Sequence, residues 1–86
     1  MPKVIVYSTN YCPYCIRAKQ VLDRKGVTYE EIRVDNDPKL MQEMMKRSQR
    51  RTVPQIFIED RGIGGFEELA QLDRSGELDA LLGQAG

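Results

Sequence analysis

Apolar positions along the chain switch between two rhythms. Residues 3–8 (Lys-Val-Ile-Val-Tyr-Ser) are a short run of β-branched and aromatic side chains, the composition of a buried strand. From Pro13 the spacing becomes helical: over 13–25, Cys15, Ala18 and Leu22 share one stripe with Val21 beside it, while Arg17, Lys19, Gln20, Asp23 and Arg24 fall mostly outward. Gly26 is placed to take the left-handed conformation that ends a helix. A second strand is predicted over 27–34, where the alternation slips between Tyr29 and Ile32 and so predicts a bulge or an edge position. Strand, helix and strand at this length form a βαβ unit, and its right-handed crossover makes the two strands parallel.

Asp35-Asn36-Asp37-Pro38 supplies a cap and a first-turn proline for a second helix over 38–48, with Leu40, Met41, Met44 and Met45 on its apolar side. Methionines at that spacing read as gap-filling core rather than as soft-metal ligands. The basic residues Lys46 and Arg47 suit the negative end of the helix, and Arg50 and Arg51 follow. Residues 52–59 enter a third strand through Pro54, and Asp60-Arg61-Gly62 is expected to turn into a brief fourth, Ile63-Gly64. A third helix begins in Gly64-Gly65-Phe66-Glu67-Glu68-Leu69, with Phe66, Leu69, Ala70 and Leu72 apolar. A short last helix is expected over 75–82 through Leu78, Leu81 and Leu82, and 83–86 is expected to fray.

At 86 residues and 41% hydrophobic content, the chain is expected to form one domain over 1–86 with room for one small core. Its 13 basic and 13 acidic side chains cancel, so no global field draws it to nucleic acid or to a membrane, and recognition has to be local. Only a handful of apolar residues follow Met1-Pro2-Lys3, and no window approaches a transmembrane length, so a cytoplasmic location is expected. In that reducing compartment a cysteine pair is catalytic more often than structural.

Both cysteines lie in one stretch, Thr9-Asn10-Tyr11-Cys12-Pro13-Tyr14-Cys15, where the first strand hands over to the first helix. With Cys12 at the cap, unpaired N–H groups of the first turn point at its sulfur, and the positive end of the helix favours a thiolate there. Pro13 costs the helix little, because its missing N–H would have had no partner. Cys15 lies almost one turn on along the same face, so that Cys12 is expected to attack and Cys15 to resolve. A zinc site is a weaker reading, since the chain has no histidine and no third cysteine for a closed four-ligand shell. A purely structural disulfide would close too short a loop to remove much chain entropy.

The chain resembles the glutaredoxins, specifically their small dithiol bacterial type, and the match covers nearly all of it. Cys12-Pro13-Tyr14-Cys15 after the first strand, Thr52-Val53-Pro54 before the third and Ile63-Gly64-Gly65-Phe66 into the third helix carry the resemblance by their order and spacing. It implies an α/β thioredoxin fold, a four-stranded mixed sheet of order 2-1-3-4 flanked by helices on both faces. It implies a cis Val53–Pro54 bond that leaves the Val53 N–H and C=O beside Cys12, free to pair with an extended tripeptide. It also implies that Thr52, Val53 and Pro54, with Gly65, Phe66, Glu67 and Glu68, line a glutathione site. There Gly64 and Gly65 let backbone approach, the Phe66 and Glu67 N–H groups meet the γ-glutamyl carboxylate, and Glu67 or Glu68 holds its ammonium. At least one of those two acids is also expected simply to stabilise the start of the helix. Tyr14 would flank the bound sulfur and Arg51 face the glycyl carboxylate. The chain departs from the family pattern at Thr9, where many members carry lysine, and at Glu67, where they often carry aspartate.

The activity so implied is glutathione-dependent thiol–disulfide exchange through Cys12 and Cys15, with glutathione as co-substrate and no tightly bound cofactor or metal. The expected partners are glutathione, disulfide-bonded or glutathionylated proteins and, through glutathione, glutathione reductase, with the chain acting as a monomer. Two alternatives compete. One is a thioredoxin-like reductant served by a flavoprotein reductase, against which stand the absence of tryptophan and the presence of Tyr14 inside the motif. The other is a glutathione-ligated iron–sulfur carrier, with Cys12 from two chains holding one cluster.

Overall fold

The structure is a computed structural model and describes residues 2–84. Strand β1 (Val4–Ser8) is buried along its whole length because it lies inside the sheet. Its neighbours are β2 (Glu30–Arg33), in parallel, and β3 (Gln55–Ile58), antiparallel. The last strand, β4 (Arg61–Gly64), pairs antiparallel with β3, giving the order β2-β1-β3-β4. This is the sheet that the resemblance implied.

Alternation along β1 and β3 divides the core between two faces. Val4, Val6, Ile56 and Ile58 pack against Ala18, Val21 and Leu22 of helix α1 (Pro13–Arg24), Leu69 of α3 (Phe66–Ser75) and Leu78 of α4 (Glu77–Leu81). Ile5, Tyr7 and Phe57 turn the other way, onto Met44 of α2 (Pro38–Ser48), with Leu40, Met41 and Met45 around it. The clustered methionines are therefore core. Arg47, in the last turn of α2 as expected, also lies 4.3 Å above the Phe57 ring and donates to the Tyr7 hydroxyl at 2.8 Å.

Three boundaries differ from the sequence reading. The second strand is Glu30–Arg33 rather than 27–34, with an unbroken register to β1, so the slip in alternation marks an edge and not a bulge. The β3–β4 hairpin turns at Glu59 and Asp60, both at positive φ (50° and 65°), so β4 starts at Arg61. Gly62 then sits in the strand against the Phe57 ring, which a Cβ would meet at 3.4 Å, and the register shifts between Ile56 and Phe57. The last two helices are separated at Gly76, whose φ of +86° ends α3 at Ser75.

The far end of α1 is tied to the C-terminal helices. Lys25 Nζ bridges Asp73 at 2.9 Å and Asp79 at 2.7 Å. The Gln84 side chain donates to the Lys25 carbonyl at 2.5 Å, so the segment expected to fray is anchored at its start. Residues 85 and 86 of that segment lie outside the described residues.

Candidate active site

Cys12 is the N-cap of α1, in extended conformation (φ −109°, ψ 105°), with Pro13 in the first turn. Its Sγ accepts the N–H of Cys15 at 3.1 Å, the bond a capping oxygen would otherwise make. No acidic side chain stands in that turn, so the donated N–H and the positive end of the helix both face this sulfur. Cys12 is half-buried, its Sγ 3.9 Å from the Val53 carbonyl oxygen, and both cysteines are free thiols.

Cys15 is its opposite. It is 1% exposed. Burial pushes its thiol up to about 12, and the neighbouring Cys12 adds to the effect. The pair thus holds one sulfur suited to attack and one that stays protonated until a mixed disulfide draws on it.

This asymmetry predicts a pH effect. An unfolded cysteine ionises near ~8.5, while folded Cys15 keeps its proton up to about 12. Between those values the unfolded chain binds fewer protons, so the stability that Cys15 contributes below this window is lost as pH rises through it. Denaturant unfolding of the reduced protein beside a Cys15→Ala variant, at pH 7 and pH 10, should show wild type losing ground at the higher pH. A difference independent of pH would mean that burial does not hold this proton.

The strand-to-helix corner that presents the cysteines is braced from behind. Buried Ser8, the last residue of β1, donates to Glu31 Oε2 at 2.5 Å, and Lys19 Nζ meets the same oxygen at 2.9 Å. The Ser8 hydrogen bond first, and Lys19 second, hold the Glu31 carboxyl below its usual range. One carboxylate therefore joins β1, β2 and α1 just behind the motif.

Beside Cys12 opens a groove of about 270 Å³ lined by Tyr14, Arg50, Thr52, Val53, Pro54, Gly65, Phe66, Glu67 and Glu68. The Val53–Pro54 bond is cis, as the resemblance implied. Buried Gln55 supports the loop from beneath, donating to the Thr52 carbonyl at 3.0 Å and its hydroxyl at 3.3 Å. The Tyr14 and Phe66 rings face one another across the groove, centroids 6.1 Å apart. A somewhat larger hollow of about 320 Å³ between β4 and α3, lined by Arg61, Gln71 and Ser75 among others, has no sulfur on its walls.

The charged residues expected at the groove fall in different places. Arg50 lines the groove, and Arg51, expected there, lines a neighbouring hollow together with Met45, Gln49 and Arg50. Gln49, left-handed at φ 60°, ends α2 just before the two arginines, and no periodicity announces it. Of the two acids, Glu68 is engaged: its Oε1 accepts the Gly65 N–H at 2.6 Å and Arg50 at 2.9 Å, so it closes the helix start as the N3 acid of a capping box does. Hydrogen bonding to Gly65 chiefly, then Arg50, lowers its carboxyl below the usual range. Glu67 is exposed in the groove wall, and as the first two residues of α3, Phe66 and Glu67 carry N–H groups with no intrahelical partner. Gly65 lies in the groove wall, whereas Gly64 serves a different need. At φ +112°, a Cβ there would stand 2.6 Å from Glu68 Oε1, so Gly64 keeps the space for the acid that caps α3.

The glutaredoxin family model matches residues 4–63. Over 82 residues the chain is 51% identical to the glutaredoxin of Pseudomonas aeruginosa, covering 95% of this chain and 98% of that one. The chain belongs to the glutaredoxin family. Glutaredoxin 3 of Escherichia coli K12 is 49% identical over 82 residues, covering 95% of this chain and 99% of its own. Among solved structures, a Brucella melitensis glutaredoxin superposes with a TM-score of 0.85 at 48% identity, over 95% of this chain and 89% of that one. A buckwheat glutaredoxin–glutathione complex superposes with the same TM-score of 0.85 at 31% identity, over 94% and 76%. The fold is thus the thioredoxin fold of the glutaredoxins, and like them this glutaredoxin is a thiol–disulfide oxidoreductase. Among the described residues no helix is long and apolar enough to cross a membrane.

Proposed function

We propose that this glutathione-dependent oxidoreductase works through Cys12 as nucleophile and Cys15 as resolving thiol, with glutathione held in the groove between Tyr14, Val53 and Phe66. The observation that carries the reading is the Cys12 sulfur itself, capping α1 through the Cys15 N–H and lying 3.9 Å from the carbonyl oxygen of Val53 in the groove wall. In the monothiol cycle the Cys12 thiolate attacks the glutathionyl sulfur of a mixed disulfide. The new S–S bond forms as the old one breaks, and the substrate leaves as a thiolate that takes a proton from water. A second glutathione thiolate then attacks the glutathionyl sulfur on Cys12, giving glutathione disulfide and restoring the Cys12 thiolate. With a protein disulfide, Cys12 forms the mixed disulfide with the protein. Cys15 gives up its proton and displaces the protein thiolate, and two glutathiones reduce the resulting Cys12–Cys15 bridge.

The groove supplies the binding. Val53 pairs with the cysteinyl backbone as a strand neighbour would, and Tyr14 covers the sulfur. The Phe66 and Glu67 N–H groups, with Arg50 alongside, receive the γ-glutamyl carboxylate, and Glu67 holds the ammonium because Glu68 is already engaged. The chain acts as a monomer in the cytoplasm on glutathionylated and disulfide-bonded proteins, with glutathione reductase restoring its glutathione. A coupled assay with NADPH, glutathione and glutathione reductase on a small glutathionylated disulfide is expected to consume NADPH in proportion to the protein. Turnover only when thioredoxin reductase replaces the glutathione system would overturn the reading.

A further inference from the structure

Lys19 is expected from its spacing to face solvent, yet its side chain is only 25% exposed, because Nζ turns back to Glu31 Oε2 at 2.9 Å. The same oxygen accepts the hydroxyl of Ser8, a fully buried residue at the end of β1, so the ammonium is anchored against the sheet. An ion pair of this kind contributes little stability by itself. What its anchoring does is fix a positive charge beside a buried thiol. Cys15 lies four residues before Lys19 on α1, and side chains at that separation are neighbours on one helix face. Burial chiefly, and then Cys12, disfavour the Cys15 thiolate, whereas the Thr9 backbone and the Lys19 ammonium favour it. The hydrogen bond to Glu31 holds Lys19 above its usual range, so it stays charged.

From this we infer that Lys19 is a positioning residue for the resolving step: anchored by Glu31, it supplies the charge that favours the Cys15 thiolate, and Glu31 limits how much of that charge the sulfur feels. The inference rests on the roles proposed above for the two sulfurs. In the resolving step the Cys15 proton passes to water. The Cys15–Cys12 bond forms as the bond from Cys12 to the substrate sulfur breaks, and the substrate leaves as a thiolate that takes a proton from water. By then Cys12 is in a disulfide and carries no charge, so of the two charged groups acting on Cys15, Cys12 and Lys19, only Lys19 remains. Around Lys19 stand Glu31 and Tyr29, and Arg33 faces Glu31 from the same strand.

The test mixes reduced protein rapidly with one equivalent of the aromatic disulfide of thionitrobenzoate. A first coloured thiolate is released when Cys12 attacks and a second when Cys15 resolves, and the rate of the second release is followed against pH for wild type, Lys19→Met, Lys19→Arg and Glu31→Gln. Removing a neighbouring charge raises a thiol by about one pK unit, which leaves about a tenth of the thiolate. That thiolate is about threefold more nucleophilic, so Lys19→Met should slow the second release about threefold and move its profile up by about half a pH unit. Lys19→Arg should restore the wild-type profile. Glu31→Gln keeps an oxygen for Ser8 and Lys19 and removes only the negative charge, so its profile should move the opposite way. Variants that merely loosened the fold would both be slower. A profile unmoved by Lys19→Met, or moved in the same direction by Lys19→Met and Glu31→Gln, would overturn the inference while leaving the roles of the sulfurs in place. A second release that persists in Cys15→Ser would overturn those roles, and the inference with them.

Discussion

Cys12→Ser is expected to abolish turnover of a glutathionylated disulfide, by at least about a thousandfold, without unfolding the protein. The loss follows from the atom replaced, since a serine hydroxyl is not ionised at neutral pH and cannot form the mixed disulfide on which both cycles depend. Retention of the fold follows from position. Cys12 caps α1, and serine is among the best caps, so its Oγ should accept the Cys15 N–H that Sγ accepts now. Rates in the coupled assay and a melting curve on the same sample check both halves. Activity above a few per cent of wild type would place the attacking sulfur elsewhere.

Cys15→Ser should separate the two activities. Deglutathionylation of a small mixed disulfide needs only Cys12 and the groove, and is expected to stay within about threefold of wild type. Reduction of a protein disulfide that relies on the second thiol should fall by more than about tenfold. The burial that keeps Cys15 protonated is what makes the separation clean, because a thiol held up to about 12 does not compete with Cys12 for substrate at neutral pH. Loss of both activities in this variant would mean that the roles of the two sulfurs are wrongly assigned.

Much of this architecture is legible in residue order because the chain uses local signals where they decide the outcome. The second helix runs over the predicted residues, since Asp37 caps it and Pro38 opens it. The buried stripe of α1 is Cys15, Ala18, Val21 and Leu22, as its spacing requires. Where tertiary contacts decide, the sequence says less. Gly62 looks like a turn residue, yet it lies in the strand beside the Phe57 ring, because Glu59 and Asp60 make the turn without a glycine. The same distinction runs through the site. Cys12 and Cys15 declare themselves by spacing. The presence of Arg50 in the groove wall follows a left-handed residue, Gln49, that no periodicity marks, and the support from Gln55 depends on a loop folding over it. Glu68 had a usable signal, an acid three residues after the capping Gly65, which separates it from its neighbour Glu67.

The outer strands carry a consequence for behaviour at high concentration. An open sheet offers two rows of unpaired backbone groups that a second chain could extend into a fibre. Here one margin is only four residues long and bristles with Glu30, Glu31 and Arg33, which repel or solvate an incoming strand. The opposite margin is interrupted by Gly62 and Gly64 and kinked by the register shift between Ile56 and Phe57. Neither rim is a flat template, so the small sheet is protected against edge-on stacking without spending a helix to cover it.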